Sequence, residues 1–187
     1  AQAAEARPSS SLERDEISLI GGWSRALLTR HRELQRRVQD IKPFIQESML
    51  NRLLTRQLDG SPLEAYGKLL GLEIPLDGPK AVMAVGYGFH PEVKRRMPEI
   101  DRVLKILELR NDLRAQLAAR SWICEPTPGI LACVIDLGDA EGTLPDAADK
   151  VVGVLRQHRD WLSTAAGVGT VESSALDLRR SWEAACR

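Results

Sequence analysis

The 187-residue chain is short of the residues that staple or metallate a protein, and it has no surplus of either charge. It has three Cys, at 124, 133 and 186, and none stands in CxxC spacing. An odd count without ligand spacing argues against a disulfide framework and against a cysteine zinc site. It fits a reducing setting, so a cytoplasmic location is expected. Three His, at 31, 90 and 158, lie far apart, so no metal site is expected. Aromatic residues are scarce, with two Phe, two Tyr and four Trp. Neither charge is in excess: 26 Lys and Arg balance 26 Asp and Glu. A segment whose task was gripping DNA would carry a basic surplus, so direct DNA contact is not expected of it. No apolar run approaches the ~18 residues of a membrane span, and no signal peptide is evident. The chain remains compatible with being the soluble part of a membrane-anchored protein.

What is present is an ordinary folding composition, 43% hydrophobic and 28% charged. Residues 1–10 read as a frayed lead-in, and a helical pattern follows from about Leu12. With Ile17 at position a of a heptad, the a positions are Ile17, Ser24, His31, Val38 and Ile45. The d positions are Ile20, Leu27, Leu34, Ile41 and Ser48. This narrow apolar seam, crowded by Arg, Glu and Gln, is of the kind that pairs helices into a coiled coil. A single amphipathic helix docked on its own domain is the alternative, although such a helix usually shows a wider stripe. Gly21-Gly22 weakens the helix, and Pro43 is expected to kink it or to begin a new one. Beyond Pro43, Phe44, Met49, Leu50, Leu53, Leu54 and Leu58 make a broad apolar face that should join a core. Gly60 ends this segment. Residues 1–60 are therefore read as a linker or coiled-coil region and 61–187 as a globular domain.

In that domain Ser61-Pro62-Leu63-Glu64 is a compact helix start, and Gly71 stops the helix. A turn through Pro75, Asp77, Gly78 and Pro79 follows. AVMAVGYGF (81–89) predicts a strand covered on both faces. Pro91 and Pro98 punctuate a loop. A helix from Pro98 to about Ala119 should turn Ile100, Val103, Leu104, Leu107, Leu113 and Leu117 inward. Residues 121–137 predict a hairpin with a slightly long turn, Pro126-Thr127-Pro128-Gly129. A helix over 145–163 should bury Ala148, Val151, Val152, Leu155 and Leu162. A fourth strand is expected over 164–170, and Ser174 should cap a last helix, with Asp177 three residues on. The fold class is α+β: a long N-terminal helix, then βαββαβα, a split βαβ order that implies an antiparallel sheet with helices on one face.

This order, with GVGTVESSALDLRRSWEAA near its end, resembles the degenerate GGDEF-like domains of bacterial transcription regulators. The residues that carry the resemblance are Gly167, Gly169, Leu178, Arg179, Arg180, Ser181, Trp182 and Ala185. LLGLEIPLDGPKAVMAVGYG is similar to that family's entry into its first strand. LQRRVQDIKPFIQESMLNRLLTRQLDG is similar to the linker helix before such a domain in AraC-type regulators. The resemblance spans roughly residues 30–187. It implies a ferredoxin-like, GGDEF-like domain preceded by a sensor or receiver module and followed by a helix-turn-helix domain. On that reading the chain ends where the output domain would begin.

Active relatives of the fold condense two GTP molecules on carboxylate-held metal ions. The resemblance places one acid at the end of the first strand and others in the hairpin turn. Here the strand ends Gly86-Tyr87-Gly88-Phe89, and the turn offers Glu125 alone. No catalytic residue, cofactor or metal is therefore expected. Gly86-x-Gly88 and Gly167-x-Gly169 are weak phosphate-loop signals, better explained by tight strand exits. Asp136 reads as a turn cap and His158 as a surface or boundary residue. Cys124 and Cys133 flank the hairpin turn, with nothing near to activate a thiol.

The functional expectation is a non-catalytic relay and dimerisation module. A homodimer would form through Ile20, Leu27, His31, Leu34, Val38, Ile41 and Ile45. DNA would be reached only through a domain outside this chain. A small-molecule or nucleotide effector domain, using the degenerate pocket, is the alternative.

Overall fold

A computed structural model describes residues 10–55, 75, 77–117, 121–138 and 143–187, with side chains before Leu28 and those at 34, 35 and 38 left aside. The expected short helix after Ser61 and the glycines at 60 and 71 lie outside the described residues, as do the side chains of Ile20, Leu27, Leu34 and Val38.

The chain divides into two compact units, one up to Pro43 and one from Phe44 to Arg187. The first is helical. Helix α1 is assigned over Ser10–Thr55, with Pro43 inside it. Pro43 therefore does not begin a new helix, one of the two outcomes the sequence suggested. Only one backbone donor is missing at that residue.

The second unit is α+β. It contains the last turns of α1, then β1 (Asp77–Phe89), α2 (Pro91–Arg96), α3 (Glu99–Leu117), β2 (Ser121–Thr127) and β3 (Ile130–Asp136). These are followed by α4 (Leu144–Gln157), β4 (Leu162–Val168), β5 (Glu172–Ser174), a 3-10 turn (Ala175–Asp177) and α5 (Leu178–Ala185). The sheet is five-stranded, ordered β2-β3-β1-β4, and β5 also pairs with β1. Every pairing is antiparallel.

Helices cover both faces of this sheet, not one. Alternation along β1 sends Met83 and Val85 to one side, where they meet Leu109, Leu113 and Leu117 of α3 and Val151, Val154 and Leu155 of α4. Val82 and Ala84 point the other way, into Leu50 and Leu54 of α1 and Leu178, Trp182 and Ala185 of α5. The second layer was hidden in the sequence because its residues come from the two ends of the chain. Phe44, expected in that core, is 75% exposed.

Other boundaries differ for local reasons. β1 starts at Asp77, inside the expected turn, because Gly78 adopts φ +98° and absorbs a register shift against β5. The expected loop after Pro91 is helix α2, which that proline opens at its first turn. The hairpin turn is the two residues Pro128-Gly129, tighter than expected, with Gly129 at φ +83°. Helix α4 ends at Gln157, so Leu162 belongs to β4, which starts and stops two residues earlier than expected. The three-residue β5 was too short to leave a periodic signal.

Candidate functional site

The hairpin tip lies beside the far end of β1, since the Tyr87 amide donates to the Gly129 carbonyl at 2.9 Å. Glu125, the one acid of the turn region, is engaged twice there. Its Oε1 accepts from the Tyr87 hydroxyl at 2.6 Å and from the Gly129 amide at 2.9 Å. Burial, and then the hydrogen bond to Glu125, push the Tyr87 phenol well above its ordinary range. Alongside, Arg110 of α3 forms a 2.9 Å ion pair with Glu47 of α1. This corner is closed by its own partners. Among the described residues, no three of His, Cys, Asp and Glu are grouped to hold a metal ion.

The C-terminal motif residues converge at a second place. A Cβ on Gly167 would lie 1.9 Å from the Ala185 carbonyl oxygen, and one on Gly169 would lie 2.0 Å from that of Ser181. Both glycines let the backbone of α5 rest directly on the strand, as close approaches require. Leu178, Ser181, Trp182 and Ala185 form the buried face of α5. Arg179 and Arg180 point outward, Arg179 pairing with Glu183 at 2.7 Å and Arg180 with Asp177 at 3.7 Å. Ser174 caps the 3-10 turn before α5 by accepting from the Leu176 amide at 3.2 Å, while Asp177 makes no side-chain cap.

Of the seam residues whose side chains are described, His31 and Ile41 are exposed and Ile45 is half-buried. Leu50, Leu53 and Leu54, one to three turns later, are buried in the second unit. An open groove of about 460 Å³ runs along this part of α1, lined by Phe44, Glu47, Ser48, Asn51, Arg52 and Thr55.

Two polar clusters went unread in the sequence. Lys80 is fully buried, and its Nζ donates to the carbonyls of Asp77 at 2.6 Å and Gly78 at 3.2 Å. Burial lowers its pKa, and the charges of Asp136 and Asp77 oppose that shift. Asp136 accepts from the Gly138 amide at 3.0 Å, in agreement with its reading as a turn cap. His158 is not a surface residue. It is 5% exposed, stands 2.9 Å from Asp112 of α3, and meets Trp161 edge-on with ring centroids 4.9 Å apart. The link joins α3 to the end of α4, and its partner lies 46 residues away. No local pattern could have shown it.

Cys124 and Cys133 stand on opposite faces of the sheet, one in each core cluster. Burial pushes Cys133 up to about 12 and raises Cys124 strongly as well. Neither is poised as a reactive thiolate.

Helix α3 also departs from expectation. Ile100, Val103, Leu104 and Leu107 are 66%, 50%, 55% and 46% exposed. The sheet-facing stripe is Ile106, Leu109, Leu113 and Leu117. Residues 107 and 109 lie about 200° apart around a helix. The helix therefore carries two apolar stripes, and periodicity alone cannot choose between them.

Among the described residues, no helix is long and apolar enough to cross a membrane. No protein family, curated protein or solved structure matches the chain.

Proposed function

We propose that the chain is a non-catalytic signal-relay and dimerisation module of an AraC-type bacterial transcription regulator, built on a GGDEF-like, ferredoxin-like domain. Residues 24–41 would pair with a second copy through the heptad seam. A shift or rotation arriving from an upstream sensor or receiver would pass along α1 to a downstream DNA-binding domain. Such a relay needs two helix arrangements of similar free energy, which the sensor biases.

The observation that carries this reading is the position of Leu50, Leu53 and Leu54. These residues of α1 are 1–2% exposed. Leu50 and Leu54 pack in one cluster with Leu178 and Trp182 of α5. A displacement at the end of α1 therefore reaches the helix that closes the domain, because close-packed cores transmit strain. The strand order β2-β3-β1-β4 supports the ferredoxin-like assignment, since it places β3 between the two strands of a split βαβ unit. The double engagement of Glu125 supports a non-catalytic reading of the hairpin.

Single Cys substitutions at Leu27, Leu34 and Ile41, in a full-length regulator carrying Cys186→Ser, test the relay. Interchain crosslinks should form at these positions and change in yield when the upstream module is stimulated. Crosslinks that form equally in both states would sink the relay. Effector binding at the hairpin corner is the alternative. It predicts that GTP or a cyclic dinucleotide shifts Trp122 fluorescence saturably.

A further inference from the structure

The two edges of the sheet are built differently. β2 ends one side, and it carries Glu125, Pro126 and a register shift between Cys124 and Thr127. Charge, proline and a bulge are the usual guards against edge-to-edge pairing. β4, LSTAAGV, ends the other side, and its register with β1 runs unshifted over seven pairs. It has no guard of these kinds. From Trp161 to Val171 the chain carries no charge and no proline.

The hydrogen-bond phase of β4 follows from two bonds. The Gly169 amide donates to the Val82 carbonyl, and the Tyr87 amide donates to the Gly129 carbonyl. Even-numbered residues of β1 therefore bond toward β4, and odd-numbered ones toward β3. On β4 the residues turned inward are Ser163, Ala165 and Gly167. The amides and carbonyls of Thr164, Ala166 and Val168 point away from the sheet. Among the described residues they meet no backbone partner. Ala166 is exposed, Val168 is 45% exposed and Thr164 is half-buried.

We propose that the β4 edge is a self-association surface, where β4 of a second copy adds antiparallel and continues the sheet. The row of free backbone groups calls for an extended strand. The uncharged run calls for one without charge, which is what a second β4 offers. With the two-fold axis at Ala166, Thr164 of each copy faces Val168 of the other, and the two Ala166 residues exchange both bonds. The contact does not use the seam of α1. Each backbone bond gains little over its bonds to water, and association itself is costly. The contact should therefore fill only at high concentration, between about 0.1 and 1 mM.

Amide hydrogen exchange on the full 187-residue chain tests this, with Leu34→Glu as the background that removes helix pairing. Raising the protein from about 20 µM to about 1 mM should slow the amides of 164, 166 and 168 by about 2- to 4-fold, given strand pairing of the stated strength. The inward amides of 163, 165 and 167 should not change. Ala166→Pro removes one outward donor without touching the β1 ladder, and Val168→Lys adds a charge. Both should abolish the concentration dependence and leave the circular dichroism unaltered. Exchange at 164, 166 and 168 that ignores concentration would overturn the proposal, as would association that survives both substitutions. Protection that ignores concentration but appears with an added alternating Thr-Val peptide would assign the edge to another partner and overturn self-pairing. Failure of helix pairing is read separately, as a wild-type chain that sediments no heavier than Leu34→Glu at 20 µM.

Discussion

The Ser181 hydroxyl lies 2.8 Å from the Val82 amide and accepts from it in place of a backbone carbonyl. β4 pairs with β1 over residues 83–89 and β5 at 77 and 80, so Val82 falls in the gap between them. Ser181 accepts from Val82 and donates to the Thr170 carbonyl at 2.6 Å. One hydroxyl thus ties α5, β1 and the bend after β4 together. This gives the serine of the Leu-Arg-Arg-Ser-Trp run a structural role.

Ser181→Ala should therefore cost about 1–3 kcal/mol, because it leaves a buried amide without a partner. Gly169→Ala should cost at least about as much, since its Cβ would meet backbone rather than a movable side chain. Urea unfolding measures both. A loss under ~0.5 kcal/mol for either would remove the joint from the account.

The two stripes of α3 give opposite expectations for similar residues. Leu104→Glu should change stability by no more than about 0.5 kcal/mol, as exposed substitutions do. Leu113→Ala should cost about 2–5 kcal/mol through a cavity between α3 and the sheet. Paired melting curves decide, and equal losses would contradict the assigned orientation of the helix.

Thiol chemistry separates the three cysteines. Only Cys186 is exposed. At pH 8 a disulfide reagent should titrate one thiol rapidly in the native chain and three after unfolding. Two fast native thiols would mean that one face of the sheet is open.

Tyr87 sets an alkaline limit. Its folded pKa is raised above the ordinary 10.0, because the neutral phenol is buried and donates to Glu125. The resulting stabilisation is complete below about pH 10 and is lost as the pH rises through the folded value. Tyr87→Phe should remove that extra alkaline instability, and at neutral pH it should cost about 1 kcal/mol for the lost hydrogen bond. Absorbance titration at 295 nm should show a tyrosine signal in the native wild type that ionises only once the fold is lost. Normal titration of both tyrosines near pH 10 would contradict the Tyr87–Glu125 bond.

Much of the second unit was legible because its signals are local. The apolar runs of β1 and β3, the alternation of turn residues around Pro128-Gly129 and the Leu178–Trp182 spacing each sit within one element. What the sequence withheld depends on distance. No local signal showed that the Lys80 amine reaches back to the carbonyls of Asp77 and Gly78. His158 reads as surface until α3 brings Asp112 to it. Leu50 and Leu54 reveal an apolar face but not that it shares a layer with Trp182. The candidate site followed the same rule. Glu125 was visible as a lone acid, but its capture by Tyr87 and Gly129 needed the hairpin to close over β1.

Sedimentation equilibrium of the 187-residue chain at about 20 µM, beside the Leu27→Glu, Leu34→Glu double variant, tests the relay most directly. At that concentration the β4 contact should be largely unfilled, so the mass reports the helix seam. The account predicts a dimer for the wild type and a monomer for the variant, since two glutamates in a narrow seam oppose pairing. A monomeric wild type, or a variant that stays dimeric, would contradict it.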